Sequence, residues 1–180
     1  MTNKNKVDSN NSTKSNENKV VENIAVEKTT NSDNQNKIKI PQFIALESTL
    51  GAITILAMKS QSHKYLFTAD LEWLIIPAVA QKQFVLFRNN KNEPIAFVTW
   101  ANIDEEVEKR LISGSLKLQP KDWNGGNKKY IIDVISPFVS PKEILKEFKE
   151  KHFKEEEIRI IRPKKDGKAL ESVLLQEFLA

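Results

Sequence analysis

Two side chains in this sequence are of a type and setting suited to proton chemistry near neutral pH. His63 lies in the run Lys59-Ser60-Gln61-Ser62-His63-Lys64, just after a helix-like segment. Asp133 lies about seventy residues further on, inside the apolar run from Tyr130 to Phe138. The chain holds 2 histidines, and imidazole is the only side chain that changes charge near pH 7 without perturbation. A carboxylate beside such a ring orients it and stabilises its charged form. His63 and Asp133 are thus a natural acid–base pair.

Each residue also has a plainer reading. His63 at a helix C-terminus favours the helix dipole whatever else it does. Asp133 could simply pair with a Lys or Arg. Period-two alternation, however, puts Ile131 and Ile135 on its strand face, where an unpaired carboxylate is costly. Ser60 is placed to donate a hydrogen bond to a reacting centre, or is a helix-end serine with no role. His152, in a charged helix end, reads as solvated.

The elements that must position these groups follow from periodicity. Leu46, Leu50, Ile53 and Ala57 recur at helical spacing up to Ser60. Thr68-Ala69-Asp70 supplies cap chemistry for a second helix, whose apolar face is Leu71, Leu74, Ile75, Ala78 and Val79. Pro77 should kink or end it. Residues 83–88 and 94–100 read as strands joined by the turn-rich Asn89-Asn90-Lys91-Asn92-Glu93, a hairpin. Asn102 is expected to cap a third helix, with Glu105 at the capping-box position and Ile103, Val107 and Leu111 facing inward. Trp123 lies in a loop before the Asp133 strand, as a loop anchor or part of a groove. Ser140-Pro141-Lys142-Glu143 reads as a helix start, burying Ile144, Leu145 and Phe148. A strand over 157–162, a turn at 164–167 and a last strand or short helix over 171–178 complete an α/β or α+β pattern with a mixed sheet.

Composition narrows the class. At 180 residues there is room for one domain and a tail. Residues 1–39 form an Asn/Lys-rich stretch that reads as a disordered tail, because it cannot bury enough surface to offset its ordering entropy. Residues 40–180 carry the folded domain. A net charge of +4, with acids interspersed, does not suggest nucleic-acid binding and suits an acidic protein partner. The absence of cysteine excludes disulfides and thiolate chemistry. The N-terminus lacks an apolar signal-type run, and Leu71–Ala80 is too short to span a bilayer.

In their order, these pieces resemble the RTX toxin-activating lysine acyltransferases. The resemblance runs through Ser60-x-x-His63, Pro77, the hairpin motifs Gln83-Phe84-Val85-Leu86 and Pro94-Ile95-Ala96, and Trp100-Ala101-Asn102. It continues through Asp122-Trp123-x-Gly125-Gly126, Ile132-Asp133-x-Ile135-x-Pro137-Phe138 and Ile158-Arg159-x-Ile161-Arg162. Leu66 stands where the family commonly has an aromatic residue, flanked by Tyr65 and Phe67.

The resemblance implies a cytoplasmic bacterial enzyme with an N-acetyltransferase-like α/β fold, a mixed sheet flanked by helices. It implies transfer of a fatty acyl group from acyl carrier protein to internal lysines of an RTX protoxin. His63 and Asp133 would be catalytic, assisted by Ser60, with no bound cofactor and no metal. No Gln/Arg-x-x-Gly-x-Gly/Ala loop for a coenzyme A pyrophosphate is present, which favours a carrier-protein donor. Arg159, Arg162, Lys164 and Lys165 would meet an acidic carrier. A homodimer is left open. The alternatives are an acetyl-CoA-dependent N-acetyltransferase and an inactive toxin-binding chaperone.

Overall fold

The computed structural model describes residues 40–180, with side chains from Leu46 onward. The expected tail lies outside the described residues. Helix α1 spans Ile40–Lys59 and buries Ala52, Ile53 and Leu56, leaving Ile55 and Met58 exposed. Helices α2 (Leu71–Leu74) and α3 (Ile76–Ala80) are two short pieces, with Pro77 in the first turn of the second. The break is where the proline's missing N–H and ring end a continuous ladder. Asp70 accepts hydrogen bonds from Phe67 N (2.9 Å) and Trp73 Nε1 (3.1 Å), which hold its carboxyl below the usual range.

Five strands form one mixed sheet in the order β1-β2-β3-β4-β5. Strands β1 (Phe84–Arg88), β2 (Pro94–Ile103) and β3 (Lys128–Ile135) make an antiparallel meander. After β3 the chain crosses through α5 (Pro141–His152) to β4 (Arg159–Pro163), which is parallel to β3. A parallel neighbour needs such a crossover. Strand β5 (Leu170–Leu174) closes a hairpin on β4, and α6 (Leu175–Leu179) ends the chain. The alternatives of strand and short helix at the end thus both occur, in succession. One sheet face packs on α5 and α6 through Phe87, Val98, Ile131, Phe148 and Leu175. The opposite face packs on α1 to α3 through Ile53, Leu56, Ile75, Phe97 and Ile135.

Several sequence expectations are corrected. Asn102 does not cap a helix: β2 runs on to Ile103, paired with Lys128, and Ile103 is buried as a strand residue. The cap of α4 (Glu105–Ile112) is Asp104, whose carboxylate accepts from Val107 N at 2.8 Å. Ser140 occupies the cap position of α5 but its side chain makes no capping bond. Trp123, in a 3-10 turn over Pro120–Trp123, is fully buried in the core beside Tyr130 and Leu118. It is an anchor and lines no groove. Gly126 packs so tightly on the β2 end that a Cβ there would lie 2.1 Å from the Ile103 carbonyl.

The largest correction concerns Asp133. Thr99 pairs with Asp133 but Trp100 pairs with Ile131, so Ile132 is an extra residue in β3. A bulge of this kind interrupts the alternation of faces. Ile131 therefore joins the α5 face while Ile135 joins the α1 face. Asp133 shares its face with Ile135 and not with Ile131.

The Asp-Trp turn is tied to α4 by an ion pair, Arg110 Nη2 to Asp122 Oδ2 at 2.6 Å, and by a bond from Gln119 N at 2.8 Å. Burial pushes the Asp122 carboxyl up, but these two donors outweigh it and hold the group below 3.8. A depressed carboxyl contributes stability above its unfolded value and loses it as pH falls through the folded one. Asp122→Asn should lower unfolding free energy by about 2 kcal/mol at pH 7. Urea titrations should show the gap closing as pH falls below about 4.

Candidate active site

The end of α1 and the bulge of β3 bring the site together. Ser60 N bonds both Leu56 O and Ala57 O at 3.0 Å, which stops the helix. A tight turn follows, with Lys64 N on Ser60 O (3.0 Å) and Leu66 N on His63 O (3.0 Å). This turn directs the imidazole of His63 back onto the sheet. His63 Nε2 lies 2.9 Å from Asp133 Oδ1, with both side chains largely covered (13% and 15% exposed). Asp133 Oδ1 also accepts from Val134 N at 2.9 Å.

The other ring nitrogen faces two hydroxyls. Ser60 Oγ is 2.8 Å and Ser62 Oγ 3.0 Å from His63 Nδ1, and the two oxygens are 3.2 Å apart. An ionised carboxylate can only accept, so the ring proton belongs on Nε2. Nδ1 then carries the basic lone pair and accepts from a serine hydroxyl. The result is a relay, Ser60 to His63 to Asp133, with the base aimed away from the carboxylate. Ser60 is buried and Ser62 exposed, so Ser60 is the fixed member. Nothing in the sequence marked Ser62, because adjacency to His63 says nothing about where a hydroxyl points.

Two apolar spaces flank the pair. A cleft of about 370 Å³ between β3 and β4 is lined by Ile131, Asp133, Ile160, Pro163 and Leu170. It exists because β3 and β4 share a single register pair, Tyr130 with Arg159. The closed end is pinned by the Tyr130 hydroxyl, which donates to Glu108 and contacts Ser172 Oγ. Arg159 reaches the same Ser172 at 3.2 Å, and Lys128 reaches Glu108 at 2.6 Å. Burial, then the Glu108 carboxylate, push the Tyr130 phenol up to about 12. On the other side of the pair, a groove of about 130 Å³ is lined by Ile53, Ala57, Met58, His63, Leu66 and Leu71. Tyr65 and Phe67 stand exposed nearby (both 77%).

The remaining sequence candidates are placed as follows. Arg162 is paired with Glu171 at 3.0 Å. Lys164, Lys165 and Lys168 are exposed on the β4–β5 turn, beyond the Pro163 and Leu170 end of the cleft. Trp100 packs against Phe148 and Phe153, and Asn102 Nδ2 donates to Asn124 Oδ1 at 3.0 Å. His152 is exposed at the end of α5, against Phe148. Among the described residues no cluster of His, Asp or Glu could hold a metal ion, and no helix is long and apolar enough to cross a membrane.

The fold and this geometry define an α/β protein with a mixed five-stranded sheet and a serine–histidine–aspartate relay at its middle strand. The chain belongs to the RTX toxin acyltransferase family, which it matches over residues 43–176. It is 31% identical over 110 residues to the lysine-acyltransferase RtxC of Vibrio cholerae, covering 60% of this chain and 71% of that one. It is 34% identical over 103 residues to the leukotoxin-activating lysine-acyltransferase LktC serotype A1 of Mannheimia haemolytica. That match covers 57% of this chain and 61% of the relative, less than two thirds of its length. An uncharacterized protein of Synechocystis is 33% identical over 137 residues, 75% of this chain and 86% of that one.

Proposed function

We propose that this protein moves a fatty acyl group from the thioester of acyl carrier protein to an internal lysine of an RTX protoxin in the bacterial cytoplasm. The observation that carries the reading is the relay in which Asp133 holds the Nε2 proton and leaves Nδ1 of His63 as base. We read the flanked mixed sheet as N-acetyltransferase-like. The lysine enters as ammonium and first loses one proton to solvent, leaving the free amine that attacks the thioester carbonyl. His63 Nδ1 takes a proton from the amine as the C–N bond forms. Asp133 stabilises the imidazolium. The C–S bond then breaks, and His63 returns the proton to the departing thiolate. Ser60, released from Nδ1 when the amine arrives, donates to the oxyanion.

The 2.8 Å contact between Ser60 and His63 favours a second, two-step version. There His63 deprotonates Ser60, the thioester acylates its Oγ with loss of the thiol, and the lysine displaces the ester. Mass measurement of the protein after incubation with donor alone separates the two, since only the second leaves an acyl group on Ser60.

The donor assignment is supported by the missing glycine loop and by the cleft wall that carries Asp133. The exposed Lys164, Lys165 and Lys168 at its end suit an acidic carrier. The acyl-carrier thioester should be used far better than the matching acyl-CoA, and its KM should rise with salt, because exposed charges are screened beyond about 10 Å at 0.1 M. Steady-state acylation of protoxin with each donor across a salt series is the test. Equal use of acyl-CoA, with no salt dependence for the carrier, would promote the acetyltransferase alternative.

A further inference from the structure

Two buried oxygens beside the His63–Asp133 pair lack a hydrogen-bond partner, Asp133 Oδ2 and Thr99 Oγ1. They belong to directly opposed residues of the β2–β3 ladder, the last regular pair before the bulge. Opposed residues project from one face with Cβ atoms about 5 Å apart. No hydrogen bond joins the two groups directly, so a bridging water is the means by which residues facing each other across the ladder would pair them. Their chemistry is complementary: a carboxylate oxygen only accepts, and a hydroxyl has a proton to give. Asp133 Oδ1 is already taken by His63 and Val134 N, so Oδ2 is the oxygen in need. Thr99 is fully buried, next to Val98 and near Phe97, Ala96 and Ala101, which are buried and apolar. Valine would fill the same volume without burying a hydroxyl, so packing does not account for the threonine.

We propose that Thr99 is the positioning residue of Asp133, its hydroxyl donating to Oδ2 through one buried water. With both oxygens engaged, the carboxylate plane cannot rotate to exchange them. Oδ1 stays on Nε2–H, and the ring keeps the tautomer that leaves Nδ1 basic. Thr99 touches neither acyl donor nor lysine, and acts only through Asp133. The proposal rests on the reading of His63 as the base, and its test includes a measurement that needs no activity.

The variants are Thr99→Val, which keeps the branched shape, and Thr99→Ser, which keeps the hydroxyl. Thr99→Val should lower kcat about tenfold with KM for donor and protoxin unchanged, a coupling of ordinary size for groups in contact. Thr99→Ser should restore it. In an Asp133→Asn background, Thr99→Val should cost nothing further. In histidine-labelled protein, the His63 Nε2–H proton should give a nitrogen-coupled downfield NMR line in wild type and Thr99→Ser, and lose it in Thr99→Val. Should the valine protein not fold, Thr99→Ala against Thr99→Ser carries the same comparison. A folded Thr99→Val protein with wild-type kcat and an unchanged His63 line overturns the proposal. So does an equal loss of kcat with and without the Asp133 carboxylate. If the acyl-transfer reading itself failed, the NMR comparison would still decide the role of Thr99.

Discussion

Replacing His63 with alanine should reduce lysine acylation by on the order of a hundredfold or more, the usual cost of removing a general base. The prediction follows from the geometry: Asp133 faces the ring through Oδ1, serine hydroxyls are weak bases, and the second ring nitrogen is left to accept a proton. Little structure is lost with it. The ring is partly covered and its side chain makes no core contact comparable to Leu56 or Ile53, which are buried. Intact-mass analysis of a co-expressed protoxin, beside a circular dichroism melt of the purified variant, would check both halves. Near wild-type acylation by a folded His63→Ala protein would remove the residue from the mechanism.

Asp133→Asn should be about as damaging, on the order of a hundredfold or more in kcat, with carrier-protein KM little changed. Two effects combine. The amide has no charge with which to stabilise the imidazolium. If its NH₂ turns toward Nε2, that nitrogen must accept, and the ring proton moves to Nδ1, where the base is needed. Val134 N donates to the same oxygen that meets the ring, which holds the side chain against Nε2. Single-turnover acylation and a carrier-binding titration would separate chemistry from affinity. Unchanged turnover in the folded variant would make Asp133 a structural carboxylate and break the relay.

Periodicity and turn chemistry made most elements legible. The break at Pro77, the hairpin around Asn89–Glu93 and the buried face of α5 all rest on local rules, and local rules hold where nothing competes. They failed where the sheet competed. Asn102 and Asp104 are both good caps, and the choice went to Asp104 because pairing with β3 carries β2 on to Ile103. The bulge at Ile132 has no local mark, since Tyr130 to Ile135 reads as an unbroken strand. The faces of Ile131 and Asp133 were therefore misjudged. At the site, residue type singled out His63 and Asp133. Which ring nitrogen meets the carboxylate, and that Ser62 and Thr99 stand beside the pair, depend on turns and register seventy residues apart.

That separation has a consequence for how the chain becomes competent. The strands lie in space in the order in which they are synthesised, and such topologies assemble from neighbours with modest entropic cost. The His63–Asp133 bond is different, because it closes a loop of 70 residues between the first helix and the middle strand. Long closures are favourable only after the segments they join are ordered. A partly collapsed chain can hold both hairpins and still have its histidine and aspartate apart. The pair is therefore a late contact, made only once the end of α1 and the bulge of β3 are both in place.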